Sequence, residues 1–256
     1  MSGFSADSPL VADVVPSPNH NERVGHGRPD MIVLHYTGMA TAQDALERLC
    51  SLDDPRVSSH YLVYEDGRIL QLVPEARRAQ HAGVSSWEGE TDINSRSVGI
   101  EIVNPGHDLG YPDFPDRQIE VVIALCRDIL KRRPVRADRV VAHSDVAPSR
   151  KQDPGEKFPW ARLHAAGVGH WVEPAPLTHP HGLSLGASGP AVAELQALLA
   201  KYGYGIPSVG AFDKPMHEVV VGFQRHFRPA RIDGIADEST LKTLRRLLAA
   251  RPSVLG

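Results

Sequence analysis

Cysteine is scarce: the 256-residue chain has two. Cys50 and Cys126 share no CxxC spacing, which excludes a disulfide framework and a thiolate metal knot, and each sits in an apolar helical pattern as a reduced core residue. Basic excess is also missing, since 28 Lys and Arg face 31 Asp and Glu for a formal net charge of -3. A nucleic-acid partner is therefore excluded, because phosphate backbones are bound by a positive surplus. No apolar run approaches the roughly 20 residues that cross a bilayer, so no transmembrane segment is expected. The first residues, MSGFSADSPLVADVV, lack the basic start, apolar middle and small-residue cleavage site of a secretory leader. The expected location is the cytoplasm, with the periplasm or cell envelope as the alternative. The HExxH signature of one zinc peptidase class is absent as well.

What is present reads as two units. Residues 1–29, rich in Pro, Ser, Asn and Gly, predict an extended N-terminal arm with little structure of its own and with His20 and His26 as solvated loop residues. Met31 to Tyr36 is a continuous apolar run, the pattern of a strand covered on both faces. Thr41 caps a helix with Ala42, Ala45, Leu46 and Leu49 on one side. Ser58–Tyr64 and Arg68–Val73 flank Glu65-Asp66-Gly67 as a hairpin. The aperiodic stretch 79–96 is a loop of the length that tends to carry function.

Ser97–Val103 predicts a further buried strand with Glu101 in its middle. Ile119, Val122, Ile123, Cys126, Ile129 and Leu130 fall at helical spacing until Pro134 stops them. Val140-Val141-Ala142 is a strand delivering His143, and a short helix lies around Trp160 to Ala165. The predicted fold class is α/β, a mixed central sheet flanked by helices over residues 30–172. The Pro-rich stretch 173–182 reads as a linker. Residues 183–256 predict a small three-helix domain, marginal in size for folding alone.

Chemistry concentrates at strand ends. His35 follows the first apolar strand and His143 another, while Asp153 lies ten positions after His143 in a loop stiffened by Pro148 and Pro154. Any one of these imidazoles read alone is a hydrogen-bonded core residue. Two imidazoles and a carboxylate with no cysteine nearby suit a hydrolytic zinc that keeps a position open for water, whose pKa falls from 15.7 toward about 7. Glu101, buried in an apolar strand, is the candidate to move the proton, unless a salt bridge to Arg96 compensates it. Lys151 is a candidate to face a developing oxyanion, a role worth roughly 3 kcal/mol, against the plainer reading of a solvated lysine.

LHYT at His35, SSHYLV at His60, QHAG at His81, SVGIEIVN at Glu101 and VAHSDVAPSRKQDPGEKFPW from His143 onward resemble the type 2 N-acetylmuramoyl-L-alanine amidases over about residues 30–165. The resemblance implies hydrolysis of the amide between N-acetylmuramic acid and L-alanine in peptidoglycan or a muropeptide. It implies His35, His143 and Asp153 as ligands of Zn2+, Glu101 as catalytic glutamate and Lys151 as oxyanion partner. Tyr36, His60, His81, Asn104 and Arg150 fall in matching motifs and are expected to bind substrate. Asp in place of the Cys of the phage and animal branches points to the bacterial recycling and envelope amidases. LSLGASGPAVAELQALLAKYGY, GAFDKPMHEVVVGFQRHF and DGIADESTLKTL resemble the peptidoglycan-binding domain 1 family, although Met216-His217-Glu218 is less typical of it. The competing reading is a catalytically silent peptidoglycan-recognition protein.

Overall fold

The strand that carries His35 lies inside a six-stranded sheet. The structure is a computed structural model describing residues 3–25 and 27–252; the expectation for His26 lies outside the described residues. The strands are β1 (Asp13–Val14), β2 (His20–Glu22), β3 (Met31–Tyr36), β4 (Tyr61–Val63), β5 (Ile69–Gln71), β6 (Arg77–Ala79), β7 (Ser97–Ile102), β8 (Val140–Ala142), β9 (Gly182–Leu183) and β10 (Ala236–Asp237). The helices are α1 (Ala42–Cys50), α2 (Ile93–Arg96), α3 (Asp116–Arg132), α4 (His143–Val146), α5 (Trp160–Ala165), α6 (Pro190–Tyr202), α7 (Lys214–Phe227) and α8 (Glu238–Ala249). The main sheet runs β1-β5-β4-β7-β3-β8. Only β4 and β5 pair antiparallel in it, as the hairpin pattern predicts; its other pairs are parallel.

Both faces of the sheet are covered, which is why β3, β7 and β8 read as unbroken apolar runs. Ile32, Leu34, Ile100 and Ile102 pack with Ile119, Val122, Cys126 and Ile129 of α3 and with Trp160 and Leu163 of α5. Opposite them, α1 covers Leu62, Leu70 and Leu72 through Ala45 and Leu49. A capping box starts α1, with Thr41 accepting from the Asp44 amide and Asp44 from the Thr41 amide. Met31, Val33 and Val141 pack on that same side against Val192, Leu199, Tyr204, Phe223 and Phe227 of the helical unit. One apolar core thus passes from the sheet into α6, α7 and α8, and it supplies the burial a short three-helix bundle lacks by itself. Between α1 and these helices the sheet surface is left open.

Two expectations change. The N-terminal arm is not structureless: β1 extends the main sheet beside β5, and β2 pairs antiparallel with β6. Arg23 pins the arm by donating to the carbonyls of Glu75, Asn94, Ser95 and Ser97. The helical unit also contains an antiparallel pair, β9 with β10. Among the described residues no helix is long and apolar enough to cross a membrane.

Candidate metal centre

Register brings the site together. In the parallel pair β3·β7, His35 stands opposite Glu101, and β8 pairs with β3 through Leu34 and Ala142, so His143 leaves the sheet one residue later. His143 opens the single turn of α4 instead of a loop. Asp153 returns beside it because the Ser144 amide donates to the Asp153 carbonyl at 3.0 Å. His35 Nδ1 and His143 Nδ1 lie 2.9 Å apart, and each is 3.0 Å from Asp153 Oδ2. All three residues are buried.

Hydrogen-bond partners fix which nitrogens carry protons. Ser97 Oγ donates its only hydrogen to the Ile93 carbonyl at 2.6 Å, so it accepts from His81 Nε2 at 3.1 Å. His81 Nδ1 is then an acceptor, and His35 Nε2 donates to it at 3.0 Å. His143 Nε2 faces the Ala82 carbonyl at 3.1 Å, which can only accept, so the proton of the neutral ring sits there. Both Nδ1 lone pairs and a carboxylate oxygen therefore converge with no proton between them. Burial, the largest cause, and the neighbouring His143 push His35 down to about 4, so its ring is neutral at pH 7. Such a cluster of bare donors repels itself and would be relieved by a cation; two nitrogens and one oxygen form a donor set that fits zinc.

Gly99 permits this arrangement. A Cβ there would lie 2.6 Å from the His81 ring, so only glycine lets the imidazole rest on the strand. His81 is pushed well below its ordinary pKa by burial, then by His35 and His60.

A cavity of about 350 Å³ opens over these groups, lined among others by Tyr36, His81, Glu101, Arg150 and Lys151. Glu101 is half-buried at the cavity wall, and its Oε2 has no hydrogen-bond partner among the described residues. Burial, reinforced by Asp153, raises its carboxyl well above the ordinary range, with Lys151 opposing. Arg96, the alternative partner, turns instead to Asp30 and Glu90. Lys151 is exposed at the cavity. Arg150 donates to the carbonyls of Ala82 and Val84. Tyr36 hydroxyl meets His107 Nδ1 at 2.9 Å, and His107 Nε2 meets Glu156 at 3.1 Å; neither His107 nor Glu156 stood out in the sequence, where both lie in turn-forming stretches.

Two expected substrate contacts do not reach the cavity. His60 is fully buried just before the interior strand β4, accepting from the Gly99 amide at 2.9 Å through Nδ1 and facing the Arg77 carbonyl and Arg23 at 3.0 Å through Nε2. Asn104 is buried too, donating to the Pro112 carbonyl and accepting from the Gly106 amide, both at 2.9 Å. Each satisfies backbone polar groups that would otherwise be left without a partner, His60 on strands β7 and β6 and Asn104 in the loop after β7.

Residues 25–156 match the N-acetylmuramoyl-L-alanine amidase family and residues 188–244 the peptidoglycan binding domain family. The chain is 37% identical over 238 residues to N-acetylmuramoyl-L-alanine amidase AmiD of Escherichia coli, covering 88% of this chain and 84% of AmiD. The solved AmiD complex with anhydro-N-acetylmuramic acid-L-Ala-D-gamma-Glu-L-Lys aligns with a TM-score of 0.73 at 36% identity over 90% of this chain and 92% of that one. AmpDh3 of Pseudomonas aeruginosa, solved with an anhydromuramic pentapeptide, aligns with a TM-score of 0.76 at 32% identity over 93% and 99%. The 1,6-anhydro-N-acetylmuramyl-L-alanine amidase AmpD of Enterobacter cloacae is 34% identical over 167 residues, 59% of this chain and 87% of AmpD.

Proposed function

The chain belongs to the N-acetylmuramoyl-L-alanine amidase family, and from that membership we propose that His35, His143 and Asp153 hold Zn2+ for hydrolysis of the muramoyl–L-alanine amide. It is an amidase acting on peptidoglycan or muropeptides. The observation that carries the metal assignment is the meeting of two bare Nδ1 atoms and one carboxylate oxygen at 2.9–3.0 Å. When bound, zinc supplies Lewis acidity for acidifying a water and polarising the amide carbonyl. Glu101 carries the proton: as the carboxylate it takes one from the attacking water, and as the resulting acid it gives that same proton to the departing L-alanine nitrogen, returning to the carboxylate. Lys151 places its ammonium at the rim where the oxyanion develops. Tyr36, His81 and Arg150 are the proposed substrate-facing residues, with His81 also holding the His35 ring.

The catalytic unit is proposed to span residues 30–172 after the arm of 1–29, with 173–182 as linker and 183–256 as the peptidoglycan-binding unit. An anhydro-muropeptide is the proposed substrate form, supported by the ligands of the AmiD and AmpDh3 structures. A cytoplasmic location goes with that substrate and is checked by fractionating host cells; recovery in the envelope would redirect the reading to intact wall. Zinc content measured beside stem-peptide release from purified muropeptides tests the enzyme against a silent recognition protein. One metal per chain with release supports the proposal, and tight muropeptide binding without metal or release overturns it.

A further inference from the structure

The second unit reaches the metal centre through a buried carboxylate that the catalysis does not use. Asp145 lies in the one-turn helix α4, two residues after His143, and is buried. Its Oδ2 accepts from the Ala142 amide at 2.8 Å and from His226 Nδ1 at 2.7 Å; its Oδ1 accepts from the Tyr204 hydroxyl at 2.7 Å. A buried carboxylate needs donors on both oxygens, and here both side-chain donors come from the helical unit.

Those donors are themselves held firmly. Tyr204 follows α6 and His226 sits on α7, both buried. The His226 ring stacks between Trp160 of the catalytic unit, at 3.8 Å, and Phe227, at 3.7 Å. Helix α7 lies against the α4 turn itself: a Cβ on Gly222 would come within 2.7 Å of the Ser144 carbonyl. The same turn offers the Ser144 amide that anchors the Asp153 backbone. Beside His226, Arg225 donates to Glu156 at 3.2 Å, in the loop that follows Asp153.

We propose that Tyr204 and His226 of the helical unit are positioning residues of the metal centre, acting through Asp145 to fix the α4 turn that presents His143 and anchors Asp153. The helical unit is then part of the active-site scaffold as well as a binding module. The inference rests on the assignment of His35, His143 and Asp153 as zinc ligands.

The test uses the full chain. Zinc affinity, by competition with a chromogenic chelator, is compared for wild type, Tyr204→Phe, His226→Leu and His226→Asn, with kcat and KM on a muropeptide. Tyr204→Phe keeps the ring in the core and removes only the hydroxyl, so it carries the test even if His226→Leu fails to fold. Expected is about a tenfold loss of zinc affinity in Tyr204→Phe and His226→Leu, the low end for groups that orient metal ligands, with kcat reduced and KM within about twofold of wild type. His226→Asn, whose amide can donate from near the Nδ1 position, restores zinc affinity to within about threefold. Affinities of Tyr204→Phe and His226→Leu within twofold of wild type overturn the inference, as does His226→Asn binding no better than His226→Leu. A wild type that takes up no zinc overturns the ligand assignment along with this inference, whereas normal uptake with unaffected variants overturns this one alone.

Discussion

Two glutamates, one fully buried beside the sheet and one half-buried within it, sit under opposite terms. Glu75, between β5 and β6, is fully buried and accepts on Oε1 from the Tyr61 hydroxyl at 2.7 Å and Arg132 at 2.9 Å, and on Oε2 from Arg132 and Arg133 at 2.7 Å. Burial would raise its carboxyl, yet these donors outweigh burial and hold it below the ordinary range. Glu101 faces the cavity with Oε2 unpartnered among the described residues and a carboxyl raised by burial and by Asp153. The fold compensates the carboxylate it uses for structure and leaves uncompensated the one suited to moving a proton.

The comparison is broken most directly by Glu101→Gln. It should lower kcat on a muropeptide by 10²–10⁴-fold, the range for a lost general acid–base, while zinc content stays at the wild-type level and chemical denaturation shows no loss of stability. Turnover near wild type would remove Glu101 from the proton path. Lys151→Ala should follow with a drop of about 10² in kcat, roughly 3 kcal/mol of transition-state stabilisation, again with metal retained on elemental analysis. Glu75→Gln reverses the pattern: muropeptide turnover per folded molecule persists, but urea unfolding reports a loss of about 3 kcal/mol, because Arg132 and Arg133 lose a buried anion.

The pH dependence sharpens the same contrast with a smaller signal. Because the folded value of Glu75 is depressed, its stabilisation is complete above the ordinary carboxylate pKa and is lost as pH falls through the folded value. Glu101 is raised, so in metal-free protein the folded state keeps its proton longer than the unfolded chain. Stability then declines as pH rises from the ordinary carboxylate value toward the folded one, by up to about 1.4 kcal/mol per pH unit. Urea titrations across pH should show the acid limb shrinking in Glu75→Gln and the declining limb vanishing in Glu101→Gln.

The strands that carry chemistry were legible because burial on both faces leaves an uninterrupted apolar run, as in Met31–Leu34 and Val140–Ala142. Thr41 and the spacing in Asp116–Arg132 made α1 and α3 equally plain. His35, His143 and Asp153 could be singled out because each sits at a strand end or in a stiffened loop. His60 and Asn104 carried the same outward signal, a polar residue beside an apolar strand, and only their contacts separate a backbone clamp from a substrate contact. The polar His-Asn-Glu of β2 has no alternation to betray a strand. Asp145 with Tyr204 and His226 joins segments far apart in the chain, and no local pattern encodes such a meeting.

The continuous packing from Met31 and Val33 through Tyr204 to Phe227 makes catalytic and helical halves a single cooperative body. Calorimetry of the intact chain should give one endotherm, with calorimetric and van't Hoff enthalpies equal. Nicking the segment 173–181 would strand each half with raw apolar surface, so digestion should consume the fragments and leave no lasting minimal amidase.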